Sequence, residues 1–243
     1  MNMSNEIKLK DGSIVKDSRL GRIFQADPRN KEYRIRTLLD QAKKLSPRTR
    51  YWNTSVRLDQ GTEGACTGFA MAHHLAIPPR RRKEVDNALG TRIYDLARDN
   101  DEWAGSDYSG SSVLGAAKAM EILGFLEEYR WAFSLETLIL TLSNLGSMVM
   151  GTDWLSDMFD TDKDGFIHAG GNIEGGHSYA LDGVNIERKE FRGLNSWGRD
   201  WGRQGRFKIS FDDMEQLLKA NGEACIAIKK ELLKKLLQLE NYE

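Results

Sequence analysis

Cys66 stands where a glycine-containing polar turn, Asp59-Gln60-Gly61-Thr62-Glu63-Gly64-Ala65, runs into a short stretch with helical spacing, Thr67 to Ala72. A thiol at the start of a helix faces unpaired backbone N–H groups and the positive end of the helix dipole. Both favour the thiolate, which is the nucleophilic form of cysteine. Gln60 lies beyond the Gly61–Gly64 turn, so the chain can fold back and aim its side-chain amide at the sulfur. That amide and the backbone N–H of Cys66 would make a two-donor oxyanion hole. Read alone, the stretch serves equally well to bury a small apolar cysteine.

A second stretch favours the chemical reading. Gly175-Gly176-His177 opens the alternating apolar run HSYALDGVN, and FRGLNSWGRDWGRQGRFKI then brings Asn195 in Asn-Ser-Trp-Gly, followed by Trp201-Gly202. Together DQG…GAC, GGHSYALDGV and NSWGRDWGRQGRFKI resemble the papain-like cysteine peptidases, in the order Gln, Cys, His, Asn, over roughly residues 50 to 228. The resemblance implies an α+β, two-lobed fold. Its helical lobe, about residues 60–130, carries the cysteine, and its sheet or barrel lobe, about 131–228, carries His177 and Asn195.

It also implies roles. Cys66 is the nucleophile, His177 its proton partner in a thiolate–imidazolium pair, Asn195 the residue orienting the imidazole, Gln60 an oxyanion donor, and Trp197 a cover over the His–Asn bond. Gly110 and Ser111 would line the groove and offer backbone groups to an extended polypeptide substrate. Two departures stand out. Glu63 replaces the family's first cysteine, removing a disulfide partner, and Thr67 replaces a tryptophan, removing a bulky wall beside the nucleophile.

The activity expected is hydrolysis of peptide bonds through a thioester acyl-enzyme, as an endopeptidase, with no cofactor or metal. The same site could pass the acyl group to an amine as a transpeptidase or ligase. An inactive papain-fold binding or scaffold protein is the reading from another class.

With 35 Lys+Arg against 36 Asp+Glu, the net charge is −1, which gives no preference for polyanions or membrane surfaces. No nucleic-acid or membrane partner is expected. The first residues lack the apolar centre of a signal peptide, and two cysteines, Cys66 and Cys225, suit a reducing compartment without a disulfide. A cytoplasmic location follows as an expectation.

The elements that must position these groups can be read in outline. Residues 1–50 read as an N-terminal extension packed on the domain, with a short cleaved pro-segment as the alternative, and Tyr33–Lys44 as a helix within it. RYWNTSVRLDQ resembles the strand leading into the nucleophile loop. The helix after Cys66 should stop before Pro78-Pro79. His73 lies about two turns along it, roughly 10 Å away, too far to serve as the base. His73 and His74 are therefore read as structural, His168 as a surface residue, and Cys225 as inert core. RRRKEV reads as a solvated basic run.

Residues 84–99 read as a helix with Val85, Ala88, Leu89, Ile93 and Leu96 near one side. SVLGAAKAMEILG and SLETLILTLSNLG read as further helices, with Ser112 as an N-cap of the first. GSMVMGTDW, GGHSYALDGVNIE, KEFRGLNSW, GRFKIS and ACIAI read as strands. Asp160, Asp162 and Asp164 open like a calcium loop, but Gly171 stands where a bidentate Glu is required, so a tight hairpin is expected. Residues 229–243 read as an amphipathic helix able to dock on the body or to mediate self-association.

Overall fold

A computed structural model describes residues 6–25, 27–41, 45–105 and 107–228. Strands β1 (Ile7–Lys8) and β2 (Ile14–Val15) pair as a small antiparallel ribbon, followed by helix α1 (Ile35–Gln41) and strand β3 (Arg50–Tyr51). Three helices come next: α2 (Cys66–Ala76), α3 (Asn87–Asn100) and α4 (Val113–Ile122). Then follow β4 (Glu128–Ala132), α5 (Leu135–Asn144), β5 (Met148–Leu155), β6 (Ile173–Asn185), β7 (Glu190–Leu194), β8 (Arg206–Ser210), α6 (Phe211–Lys219) and β9 (Glu223–Ile228). The main sheet runs β4-β9-β5-β6-β7-β8, with β3 also on β6, and all its pairings are antiparallel. The fold is α+β, and the sheet is open, with no closed barrel.

Local chemistry explains the helix boundaries. Asp86, Ser112, Ser134 and Ser210 each accept an N–H from the first turn of α3, α4, α5 and α6. Helix α2 differs: its N-cap is Ala65 and no side chain caps it. Its first turn is thus open to whatever Cys66 faces. Every residue of α2 is buried, which makes it the central helix of its cluster rather than a surface one. It ends at Ile77, and the prolines that follow cannot continue it.

Two hydrophobic clusters form. One gathers α2, α3 and α4 around Phe69, Met71, Leu75, Ile93 and Leu114, and reaches Trp131 and Val149 on the sheet. The other gathers the opposite face of the sheet around Trp154, Tyr179, Phe191 and Phe207, and includes Leu9, Val15, Leu20, Ile23, Ile35 and Leu39 from the N-terminal region. That region is therefore part of the core.

Several details differ from the sequence reading. RYWNTSVRLDQ supplies only the two-residue strand β3; Asp59 then makes an isolated bridge with Trp197. Helix α3 begins at Asn87, so Val85 precedes it and Ala88 is exposed; its buried face is Gly90, Ile93, Tyr94 and Ala97. The basic run is not wholly solvated. Arg80 turns its guanidinium inward and donates to the Ala227 carbonyl, and burial lowers its pKa to about 9. The C-terminal helix expected over 229–243 lies outside the described residues.

One buried carboxylate ties together the strands that carry the candidate site. Asp182 on β6 is fully buried and accepts from Arg192 Nε on β7 at 2.8 Å and from Arg206 Nη1 on β8. Its removal would strand two mostly buried guanidinium groups. Asp182→Ala should therefore cost about 3–5 kcal/mol, read as a lower urea midpoint with an unchanged slope. A midpoint within error of wild type would contradict this account of how β6, β7 and β8 are held.

Candidate active site

Cys66 opens α2 and is fully buried. The backbone N–H groups of Gly21, Ser178 and Thr67 bond toward its sulfur. Ser178 follows His177 on β6, so the helix start and the strand meet at the thiol. The His177 imidazole is fully buried and packs between two indoles, with ring centroids 4.7 Å from Trp154 and 4.9 Å from Trp197.

Its proton position follows from one chain of hydrogen bonds. The Ser196 backbone N–H donates to Asn195 Oδ1 at 2.8 Å, which fixes that atom as an acceptor. His177 Nε2 lies 2.8 Å from the same oxygen and must carry the hydrogen. Nδ1 is left as the lone-pair nitrogen, and it is buried without a hydrogen-bond partner among the described residues.

Gln60 is pinned in the same way. Ser196 Oγ donates to its Oε1 at 2.6 Å, which leaves Nε2 to donate, 2.6 Å to the Glu63 carbonyl and 3.1 Å to the Arg19 carbonyl. An amide held by three bonds, with its N–H₂ aimed at a peptide carbonyl, is preorganised for an oxyanion.

That carbonyl belongs to the chain's own N-terminal segment, which crosses the site as an added strand. Ser111 N–H donates to the Gly21 carbonyl at 2.9 Å, and Ile23 N–H donates to the Ser111 carbonyl at 2.9 Å. Arg22 N–H donates to the Gly176 carbonyl at 3.0 Å. The bridge between Arg22 and Ser111 is parallel. Glycine makes this approach feasible: a Cβ on Gly21 would lie 2.0 Å from the Gly64 carbonyl oxygen, and one on Gly176 would lie 2.1 Å from that of Arg22. The Arg19 guanidinium lies 3.9 Å over the Trp197 ring and pairs with Asp17 at 2.6 Å.

Gly110 and Ser111 thus do bind extended backbone, here the protein's own. Ser112 caps α4 and donates its hydroxyl to Gln25 Oε1 at 2.7 Å. Sequence reasoning anticipated neither the crossing nor the parts played by Trp154 and Ser196. The only available signal was the lone glycine of Arg19-Leu-Gly-Arg22, which is meaningless without the fold.

The covering sets the electrostatics. Burial pushes the Cys66 thiol up to about 11, against the N–H groups of Gly21 and Ser178 and the charge of Arg22. Burial likewise lowers His177 to about 4, opposed by the Asn195 bond and assisted by the Arg19 charge. In this closed state the two groups are a neutral thiol and a neutral imidazole. The ion pair expected from the sequence does not form, because no solvent reaches either group.

The other titratable candidates fall elsewhere. His73 Nε2 accepts from Leu58 N–H at 3.2 Å, and His74 bonds Ser147 Oγ at 2.8 Å and Ala227 N–H at 3.1 Å. Both are fully buried inside α2. Cys225 is buried in β9, and burial raises its thiol far above the usual range. His168 is exposed and pairs with Asp162 at 3.0 Å. Asp162 Oδ1 also accepts from the N–H groups of Asp164 and Phe166, so this carboxylate closes a turn. No group of metal-ligating side chains occurs among the described residues, and none of their helices is long and apolar enough to cross a membrane.

Comparison with solved structures identifies the fold. Xylellain, a cysteine protease from Xylella fastidiosa, superposes with a TM-score of 0.66 at 17% identity, covering 88% of this chain and 97% of that one. Procathepsin B S9 from Trypanosoma congolense gives 0.62 at 13%, covering 86% of each chain. The recombinant stem bromelain precursor gives 0.58 at 12%, covering 88% of this chain and 78% of the other. The chain has the papain-like cysteine protease fold. No protein-family model and no curated protein sequence matches it.

Three fully buried histidines held neutral have a pH consequence. His177 and His73 have folded values lowered to about 4 and about 3 by burial, and His74 is lowered well below its ordinary value. The unfolded chain then binds more protons than the folded one below about 6.5, so stability is full above that pH and is lost as pH falls toward 4. For His177 alone the loss is about 3 kcal/mol. Urea midpoints should fall between pH 6.5 and 4, less steeply in His177→Gln; a flat profile would contradict the neutral assignment.

Proposed function

We propose that the protein is a cysteine peptidase that cleaves peptide bonds, and that the form described here is its covered, latent state. The observation that carries the reading is the arrangement around one sulfur. An uncapped helix start, an imidazole with its Nδ1 lone pair free, and a pinned amide donor surround Cys66, and a peptide carbonyl already rests on that donor.

Once segment 19–23 withdraws, water and substrate replace it and the burial that opposes charge is relieved. The Cys66 proton passes to His177 Nδ1, giving thiolate and imidazolium. The sulfur attacks the substrate carbonyl carbon, and the C=O electron pair moves to oxygen, which Gln60 Nε2 and the Cys66 N–H hold. The tetrahedral species collapses with cleavage of the C–N bond. The leaving amine takes the proton from His177 Nδ1, and a thioester remains on Cys66. His177 then removes a proton from water as it adds to the thioester. The carboxylic acid leaves, the sulfur regains its proton, and the cycle closes. Throughout, Asn195 Oδ1 holds Nε2–H and keeps the correct tautomer, while Trp197 and Trp154 exclude water from that bond.

The segment itself is not positioned as substrate. Its N–H at Gly21 points to the sulfur, and its strand pairs parallel with Ser111. A neutral thiol beneath it cannot attack.

The test is labelling by a thiol-reactive epoxide, mapped by mass spectrometry, alongside cleavage of a denatured protein substrate. Arg22→Glu places a carboxylate against Glu223 and Asp153 and should expel the segment, raising both labelling and cleavage at least tenfold over wild type. Cys66→Ala in that background should abolish both without unfolding. Asn195→Ala should lower kcat about 10²–10⁴-fold. Label on Cys225 with none on Cys66 would overturn the reading.

A further inference from the structure

The Arg22 side chain fills a pocket beside the thiol that is built to hold a guanidinium. Only 1% of the side chain is exposed, although the residue lies on a crossing segment. Its Nε and Nη2 donate to Glu223 Oε1 at 3.1 and 3.0 Å, and Nη2 donates to the Asn221 carbonyl at 2.5 Å. Asp153 Oδ1 stands 3.8 Å from Nη1. The donors come from the start of β9 and from β5, strands of the structural sheet and not from a loop that follows the segment.

The pocket is also cleared for this occupant. A Cβ on Gly151 would lie 2.8 Å from Glu223 Oε1 and 2.9 Å from Arg22 Nε, with Val113 Cγ2 at 2.7 Å. Any larger residue there would close the cavity that the guanidinium uses. The Arg22 main chain meanwhile sits on Gly176, next to His177, so the pocket opens directly onto the groove.

Withdrawal of the segment leaves this pocket with two carboxylates and a carbonyl and no cation. Glu223 is 7% exposed, and an unpaired carboxylate so buried is costly. Refilling it with an apolar side chain leaves that cost in place. A guanidinium restores the ion pair and both N–H bonds. An ammonium restores charge but not the forked geometry.

We propose that Glu223, with Asp153 and the Asn221 carbonyl, forms a specificity pocket that selects peptide substrates carrying an arginine close to the bond that is cut, and that Arg22 occupies it as a built-in competitor. This deepens the peptidase reading and rests on it. It also states what that reading does not: which side chain the site selects, and by which residues.

The experiment uses the full chain with Arg22→Glu, or Arg22→Ala should the first variant fold poorly. A panel of fluorogenic peptides, identical except for one residue set to Arg, Lys, Leu or Glu at each position in turn, is compared by kcat/KM. At one position Arg should exceed Leu by about tenfold or more, with Lys between them. Glu223→Gln should collapse the Arg-to-Leu ratio toward one. Turnover with no preference for Arg, or with a preference that Glu223→Gln leaves intact, would overturn the pocket while leaving the peptidase reading standing.

Binding gives a readout that needs no turnover. With Cys66→Ala added, fluorescence anisotropy should show the Arg peptide bound at least tenfold more tightly than its Leu counterpart, and Glu223→Gln should abolish the difference. Equal binding of the two would sink the proposal even where the chain proves inactive.

Discussion

The shared oxygen of Asn195 governs the candidate site. One atom accepts from the Ser196 N–H and from His177 Nε2, both at 2.8 Å, and thereby settles which imidazole nitrogen carries the hydrogen. With the other tautomer, Nδ1 would present a hydrogen instead of a lone pair, and no proton could leave the thiol by that route. The bond survives because it is dry. Trp154 and Trp197 flank the ring, and Trp197 is covered in turn by the Arg19 guanidinium. Ser196 has a second task, since its hydroxyl holds Gln60 with the amide N–H₂ outward. A short segment after β7 therefore orients both the base and the oxyanion donor.

The sheet delivers that segment to the helix. Asp182 binds arginines on β7 and β8, keeping β6 in register with them, and β6 carries His177 to the uncapped start of α2. The N-terminal segment exploits the same groove. Its backbone satisfies Ser111, Gly176 and Gln60, the polar groups that a substrate main chain would otherwise meet. The cost of covering the site is electrostatic: with water gone, thiol and imidazole are both held neutral. Latency in this account is a change of solvent around fixed groups, without rearrangement of the groups themselves.

Much of this arrangement could be read from residue order, and the reasons for the failures are specific. Cys66, His177, Asn195 and Gln60 each sit in a short run whose neighbours restrict what the residue can do, so the runs pointed to a common place. Helices α4 and α5 showed themselves through spacing and serine caps. The crossing of Arg19–Ile23 left no pattern, because it is made of main-chain bonds that any sequence can form and of glycines whose partners lie far along the chain. Glu223 read as a polar edge to an apolar strand; its meaning depends on Arg22, far away at the other end of the chain. Arg80 misled for the opposite reason: a run of cations suggested solvent, yet one of them reaches a carbonyl inside the fold.

The central claim is that Cys66 is an activatable nucleophile silenced by its own chain. The rate of Cys66 alkylation by iodoacetamide, followed against pH in wild type and in Arg22→Glu, tests it most directly. The account predicts slow reaction in wild type that rises only at alkaline pH, in keeping with a thiol pushed up to about 11, and fast reaction at neutral pH in the variant, lost on His177→Ala. Equal slow rates with the same alkaline rise in both chains would contradict it.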